Sequence, residues 1–169
     1  MALLPIIVAP DPRLNVKCEN VDQVTENLRR LMDDMMETMY DAPGIGLAAP
    51  QVGVTKRIIV VDISKSERDK APYKMINPQI TWHSNQLVDF EEGCLSLPEQ
   101  YAQVQRPDEI HLSYLDSNGA AQKLKTSGIL ATCIQHEIDH LDGKLFVDHI
   151  SKLRKNLILR KLKKYKVGL

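Results

Sequence analysis

The sequence predicts an α+β fold, and two patterns carry that expectation. Short β-branched or alternating runs crowd the middle of the chain, and helical apolar spacing appears before and after them. Strands and helices therefore do not alternate as they would in a parallel βαβ sheet. In order, a turn signal at Asp11-Pro12 precedes a helical stretch from Asn27 to Tyr40, where Leu28, Leu31, Met32, Met35 and Met39 recur at spacings of three and four. This methionine row reads as core packing rather than a cofactor site, and Pro43 and Gly44 end the helix. Arg57 to Asp62, RIIVVD, reads as a buried strand. Further strands are expected at Lys74 to Trp82, Gln86 to Phe90, Tyr101 to Arg106, Glu109 to Asp116 and Gln122 to Thr126, with a tight hairpin at Ser117-Asn118-Gly119. Ser127 offers an N-cap to a helix whose apolar face carries Ile129, Leu130, Cys133, Ile134 and Ile138 and which ends near Gly143. A last helix runs from Ser151 to about Tyr165.

Length and composition narrow the function classes. With 169 residues, 43% of them hydrophobic and 26% charged, the chain is sized for one folded domain rather than a disordered or collagen-like polymer. No apolar run is long enough to span a membrane, and the start, MALLPIIVAP, lacks the basic region and cleavage site of a secretion signal. Cys18, Cys94 and Cys133 are too few and too far apart for a disulfide framework, which suits a reducing, cytoplasmic setting. The net charge of zero hides a division: residues 151–169 hold eight basic and no acidic side chains, leaving 14 basic against 22 acidic in residues 1–150. A single catalytic domain over 1–150 and a basic C-terminal helix over 151–169, packed on it or extending from it, is the expected organisation.

Three constellations carry chemistry. In His136-Glu137-Ile138-Asp139-His140, positions i and i+4 share one helix face, so both imidazoles can reach one metal ion, and Glu137 can take a proton from a water beside it. A solvated face with two histidines would read the same way, so a third ligand decides. Phe146 stands where a metzincin places its third His, and no Glu follows His140 for a thermolysin-like site. His149 is one candidate. Cys94, in Glu91-Glu92-Gly93-Cys94-Leu95-Ser96-Leu97-Pro98, is a better one, because Gly93 and Pro98 force an irregular strand end from which a thiolate can project. Cys133, three residues before His136, reads as a small buried apolar group, and Cys18 as incidental. The third constellation, Gly44-Ile45-Gly46-Leu47-Ala48-Ala49-Pro50-Gln51-Val52-Gly53, matches a dinucleotide fingerprint. It follows a helix instead of a strand and leaves no room for a second helix, so a cleft-lining loop is expected instead. Gln51 there is either a satisfied loop amide or a donor aimed at substrate.

GIGLAAPQVG, EGCLS and QHEIDHLDG, in this order and at these separations, resemble the three signature motifs of the peptide deformylases, and the similarity extends over nearly the whole chain, with a C-terminal helix like that of the Gram-negative-like subgroup. The resemblance implies β-sheets packed around a central helix bearing HExxH. It implies hydrolysis of the N-formyl group from N-formylmethionyl nascent polypeptides, releasing formate. Cys94, His136 and His140 would bind Fe²⁺, with Zn²⁺, Ni²⁺ or Co²⁺ as substitutes. Glu137 would be general base and then proton donor, with the Gln51 amide and the Leu95 backbone N–H holding the oxyanion. Ile45, Gly46, Ile129 and Cys133 would line the methionine pocket, with a Glu92–Arg106 pair near its entrance. Pro50, Tyr101 and Thr132 depart from the family's commonest pattern, which bears on side-chain preference and not on the reaction.

Two other readings compete. A general zinc metallopeptidase would cut internal peptide bonds, though it lacks its usual third ligand here. A structural metal module with an RNA-binding tail would need Cys133 or His149 as a fourth ligand. The tail itself reads in two ways: Leu153, Leu157, Ile158, Leu162 and Tyr165 form an apolar strip that can pack on the body, while the lysines suit a transient ribosomal contact. Neither a membrane nor DNA is an expected partner.

Overall fold

The computed structural model describes residues 2–167, with side chains described through 164. Its first helix, α1 (Glu26–Asp41), starts at Thr25, whose hydroxyl accepts from the Leu28 N–H. Strands β1 (Gly46–Ala48), β2 (Ile58–Val61), β3 (Tyr73–His83), β6 (Glu109–Leu115) and β7 (Ala121–Ser127) form an antiparallel sheet in the order β1-β2-β3-β6-β7. Strands β4 (Leu87–Cys94) and β5 (Leu97–Pro107) form a separate hairpin. Helix α2 (Gly128–Leu141) follows β7, and α3 (Lys152–Val167) closes the chain.

Strand β2 explains how the layers stack. All four of its side chains are fully buried because each face of the strand meets a helix. Ile58 and Val60 pack with Met32, Met35 and Met39 of α1, whereas Ile59 and Val61 pack with Ala131, Ile134 and Ile138 of α2. The methionine stripe is thus core, as its spacing predicts. On its other side α2 meets the β4–β5 hairpin and the 3₁₀ turn Phe146–His149. There Leu97, Val104, Phe146, Val147, Ile158 and Leu162 form a second core cluster. Helix α2 therefore lies between sheet and hairpin with most of its length buried.

The C-terminus of α2 is fixed from two directions. Arg57 donates to the Leu141 carbonyl at 3.0 Å and pairs with Asp142 at 3.0 Å. Gly143 turns the chain at φ +76°, with the Asn15 carbonyl oxygen 2.6 Å from where a Cβ would stand, so no larger residue fits.

Several expectations are corrected. The GIGLAAPQVG segment is no simple loop: Gly46–Ala48 pairs with β2 and Ala49–Val52 makes a 3₁₀ turn. Strands β4 and β5 run further than their alternation shows, meeting across a bulge at Gly93/Cys94. Ser127 is the N-cap residue of α2 but makes no side-chain cap bond; it ends β7, paired with Glu109. Ile129 is half exposed instead of core, because the first turn of α2 borders a cleft. Cys18, incidental to the metal group, is a core residue buried among Ile59, Ile138 and Leu141. In α3, Ile158 and Leu162 are buried while Leu153 and Leu157 face outward, so the apolar strip is narrower than expected. Tyr165 lies outside the described side chains.

Candidate active site

A helix and a strand converge on one point. On α2, His136 and His140 stand one turn apart with ring centroids 5.1 Å from each other. On β4, Glu92 and Cys94 both reach the helix, with the bulge at Gly93/Cys94 between them re-aiming the thiol. Cys94 Sγ lies 3.3 Å from His140 Nε2, and the ligand atoms of Cys94, His136 and His140 all fall within 4.8 Å of one another. His136 Nδ1 donates to Glu92 Oε1 at 2.9 Å, which leaves Nε2 with its lone pair toward the group. The other two candidate ligands are engaged elsewhere. Cys133 Sγ is directed at the Ile45 carbonyl, and His149 Nε2 donates to Asp139 Oδ2 at 2.7 Å.

The donor set fits a metal cation. One thiolate and two imidazoles suit a borderline divalent metal, with a position left for water or substrate. The local field agrees with that fit. Burial pulls the His136 pKa down, but the Glu137 charge and hydrogen bonds to Cys94 and Glu92 carry it well above its ordinary value. A surrounding that attracts a proton to this ring attracts a metal cation for the same reason. At His140, burial and the charge of His136 push the pKa well down, keeping a free lone pair.

Glu137 sits beside this group, with Oε2 4.0 Å from His136 Nε2 and Oε1 buried without a protein partner. Burial raises its pKa to about 7 against the opposing pull of the His136 and Arg106 charges, with the Glu92 and Asp139 charges adding to the rise. Gly46 makes room for it: a Cβ there would stand 2.5 Å from Glu137 Oε2 and 2.9 Å from Cys133 Sγ. Gln51 resolves both alternatives at once. Its Oε1 accepts from the Ala48 N–H at 2.9 Å, while its Nε2 donates to Ser96 Oγ at 3.0 Å and lies 3.5 Å from Cys94 Sγ. The amide is satisfied and also faces the metal group.

These residues open on a cleft of about 770 Å³. One wall is β1 with Ile45 and Gly46, the other is Glu91 to Leu95 of the hairpin, and Ile129, Thr132 and Cys133 of α2 form the floor with Glu137. Among the described residues, strand β1 pairs only with β2 and β4 only with β5, so each wall presents a strand edge. Every expected site residue lines this cleft except two. His140 is a layer deeper, and Arg106 is buried behind Glu92, reaching it through Nε at 2.7 Å and Nη2 at 3.0 Å. The Glu92–Arg106 pair is thus no entrance feature but a support behind His136. Burial alone would raise the Glu92 pKa; the hydrogen bonds from His136 and Arg106 and their charges bring it below the ordinary value.

The family model described as polypeptide deformylase matches residues 3–156. The chain belongs to the polypeptide deformylase family. A peptide deformylase from Methylocella silvestris is 50% identical over 167 residues, covering 97% of this chain and 85% of that one. One from Pelagibacter ubique is 52% identical over 166 residues, covering 98% and 96%. Among solved structures, the Ehrlichia chaffeensis peptide deformylase in complex with actinonin superposes with a TM-score of 0.94 at 43% identity, covering 98% of each chain. The Legionella pneumophila enzyme gives 0.90 at 42%, covering 97% of this chain and 95% of that one. The family's enzymes are metal-dependent hydrolases, and the expected fold, sheets around a central helix followed by a C-terminal helix, is the one observed.

Sequence reasoning missed Ser96, Asp139 and Phe146. Ser96 orients Gln51, Asp139 accepts from Arg106, and the Phe146 ring stacks on His136 at 6.2 Å. Ser96 and Asp139 sit inside two of the motifs, and that adjacency was the available signal; Phe146 gave none beyond hydrophobicity.

Proposed function

We propose that this site removes the N-formyl group from nascent polypeptides through the residues the motifs single out. The observation that carries the proposal is the Cys94, His136 and His140 group beside a buried Glu137 in a cleft walled by two strand edges. An extended peptide fits between such edges, its backbone pairing with both and its methionine side chain entering between Ile45, Ile129 and Cys133. A bound Fe²⁺, or Zn²⁺, Ni²⁺ or Co²⁺ in its place, held by Cys94, His136 and His140, supplies Lewis acidity toward the formyl carbonyl and acidifies water.

Glu137 removes a proton from the attacking water as its oxygen bonds to the formyl carbon. The oxyanion is held by the Gln51 side-chain amide and the Leu95 backbone N–H, each worth roughly 3 kcal/mol of barrier. The C–N bond then breaks, Glu137 returns the proton to the departing amine, and formate leaves. Burial disfavours the Glu137 carboxylate and so helps the carboxyl hold the proton between the two transfers. Formate release from formyl-Met peptides, measured beside cleavage of unformylated ones, tests the reading; cleavage of only the latter sinks it.

The substrate's origin suggests a cytoplasmic enzyme that meets chains at the ribosome. Residues 1–150 would supply the chemistry and residues 151–169 the contact, through Arg154, Arg160, Lys161, Lys163 and Lys164, all exposed on α3. Among the described residues no helix is long and apolar enough to cross a membrane. Since Ile158 and Leu162 are core, neutralising those charges tests the contact better than truncation, and salt-sensitive ribosome binding should be lost.

A further inference from the structure

The polar residues behind the metal group form a chain that ends at the surface. Arg106 holds Glu92 from one side, and its remaining arm, Nη1, donates to Asp139 Oδ2 at 2.9 Å. His149 Nε2 donates to that same oxygen at 2.7 Å. His149 is one-third exposed and borders a second cavity of about 560 Å³, on the side of α2 away from the cleft. It belongs to the 3₁₀ turn whose Phe146 stacks on His136, with ring planes at 24°. One turn thus reaches the same histidine twice, by a ring and by way of Asp139, Arg106 and Glu92.

We propose that Asp139 and His149 are positioning residues for the metal ligand His136, which they orient through Arg106 and Glu92. A guanidinium gripped by one carboxylate can swing with it; Asp139, opposite Glu92, holds Arg106 from both sides. Asp139 Oδ2 is itself shared, so without the His149 N–H its carboxylate is held by Arg106 alone and is less firmly fixed. Burial strengthens the inner links, His136 to Glu92 and Glu92 to Arg106, because water does not compete for the donors there. The Glu92 carboxylate, fixed in this way, sets both the tautomer and the direction of the His136 ring, which is how partners of ligating histidines tune metal sites. The inference rests on Cys94, His136 and His140 being the ligands.

The test uses metal-loaded protein and three variants. His149→Ala removes the donor, and His149→Gln keeps an N–H at similar reach. Lys155→Ala opens the Lys155–Asp148 pair in the same turn without touching Asp139. Metal release to excess chelator is timed, and the visible absorption of the Co²⁺-loaded form is recorded. In His149→Ala release accelerates about tenfold, the cobalt bands shift, and kcat falls with KM unchanged; His149→Gln restores most of this and Lys155→Ala leaves all three at parental values. Parental release and spectrum in His149→Ala overturn the proposal, as does equal acceleration in Lys155→Ala. A parent protein that retains no metal overturns the ligand assignment instead.

Discussion

The two sides of α2 bury polar groups under opposite rules. On the side toward the hairpin and the second cavity, Glu92, Arg106, Asp139 and His149 satisfy one another through charge-assisted hydrogen bonds. On the cleft side, Glu137 Oε1 and Thr132 Oγ1 are buried with no protein partner. Orphaned buried atoms cost stability, and the Glu137 oxygen, beside the metal group, is placed where a water or substrate can satisfy it. The difference separates the part of the site that holds shape from the part that meets substrate.

Glu137→Gln gives the largest expected break on the cleft side. Deformylation should fall by about 10³–10⁴-fold, while metal content by elemental analysis stays at the parental level. Its counterpart across the helix is Arg106→Leu, which leaves Glu92 and Asp139 buried without their cation. Urea unfolding should show about 3–5 kcal/mol lost; a loss under 1 kcal/mol would contradict the picture of a support that depends on charge.

Acid–base behaviour sharpens the contrast. With its pKa raised to about 7 from an ordinary 4.5, Glu137 in metal-stripped protein costs no stability below the ordinary value. Its penalty grows as pH rises through that interval, reaching about 3 kcal/mol above neutrality. Asp139 has the opposite sign. Burial pushes its pKa up, but hydrogen bonds from His149 and Arg106 and the Arg106 charge bring it below the ordinary value. It therefore stabilises above about pH 4 and loses that contribution as pH falls further. Denaturation of metal-stripped protein should show Glu137→Gln gaining on the parent between pH 4 and pH 8, and Asp139→Asn losing on it between pH 2 and pH 4.

Gly46→Ala pushes a methyl against Glu137 and should lower kcat/KM about 10²-fold with folding retained, as near-ultraviolet circular dichroism would report. Smallest is Thr132→Val. Exchanging an unpartnered hydroxyl for a methyl should leave stability unchanged or raise it by about 1 kcal/mol, with kcat within about twofold.

Sequence pattern made the cleft side far more legible than the other. His136, Glu137 and His140 declare themselves by helical spacing, and Cys94 by an irregular strand end, because those signals lie within one element. The link from His149 to Asp139 joins a turn to a helix, and the one from Arg106 to Glu92 crosses a hairpin; no local period records such pairings. The same limit hid β1, three residues that become a strand only because β2 lies alongside, and it turned Ile129 toward the core when its helix turn in fact borders the cleft. The α+β class survived these misses since it depends on element order alone.

The strand edges beside the cleft have a consequence for self-association. An edge able to accept a peptide backbone is equally a template on which another copy could add its own strand and begin to aggregate. Strand β1 limits this by being only three residues long before Ala49–Val52, with Pro50, turns the chain away. The far edge of the same sheet, β7, is seven residues long and is guarded differently, by the exposed Lys123 and Lys125. Openness to a single extended peptide and resistance to sheet growth are thus reconciled by length at one margin and by charge at the other.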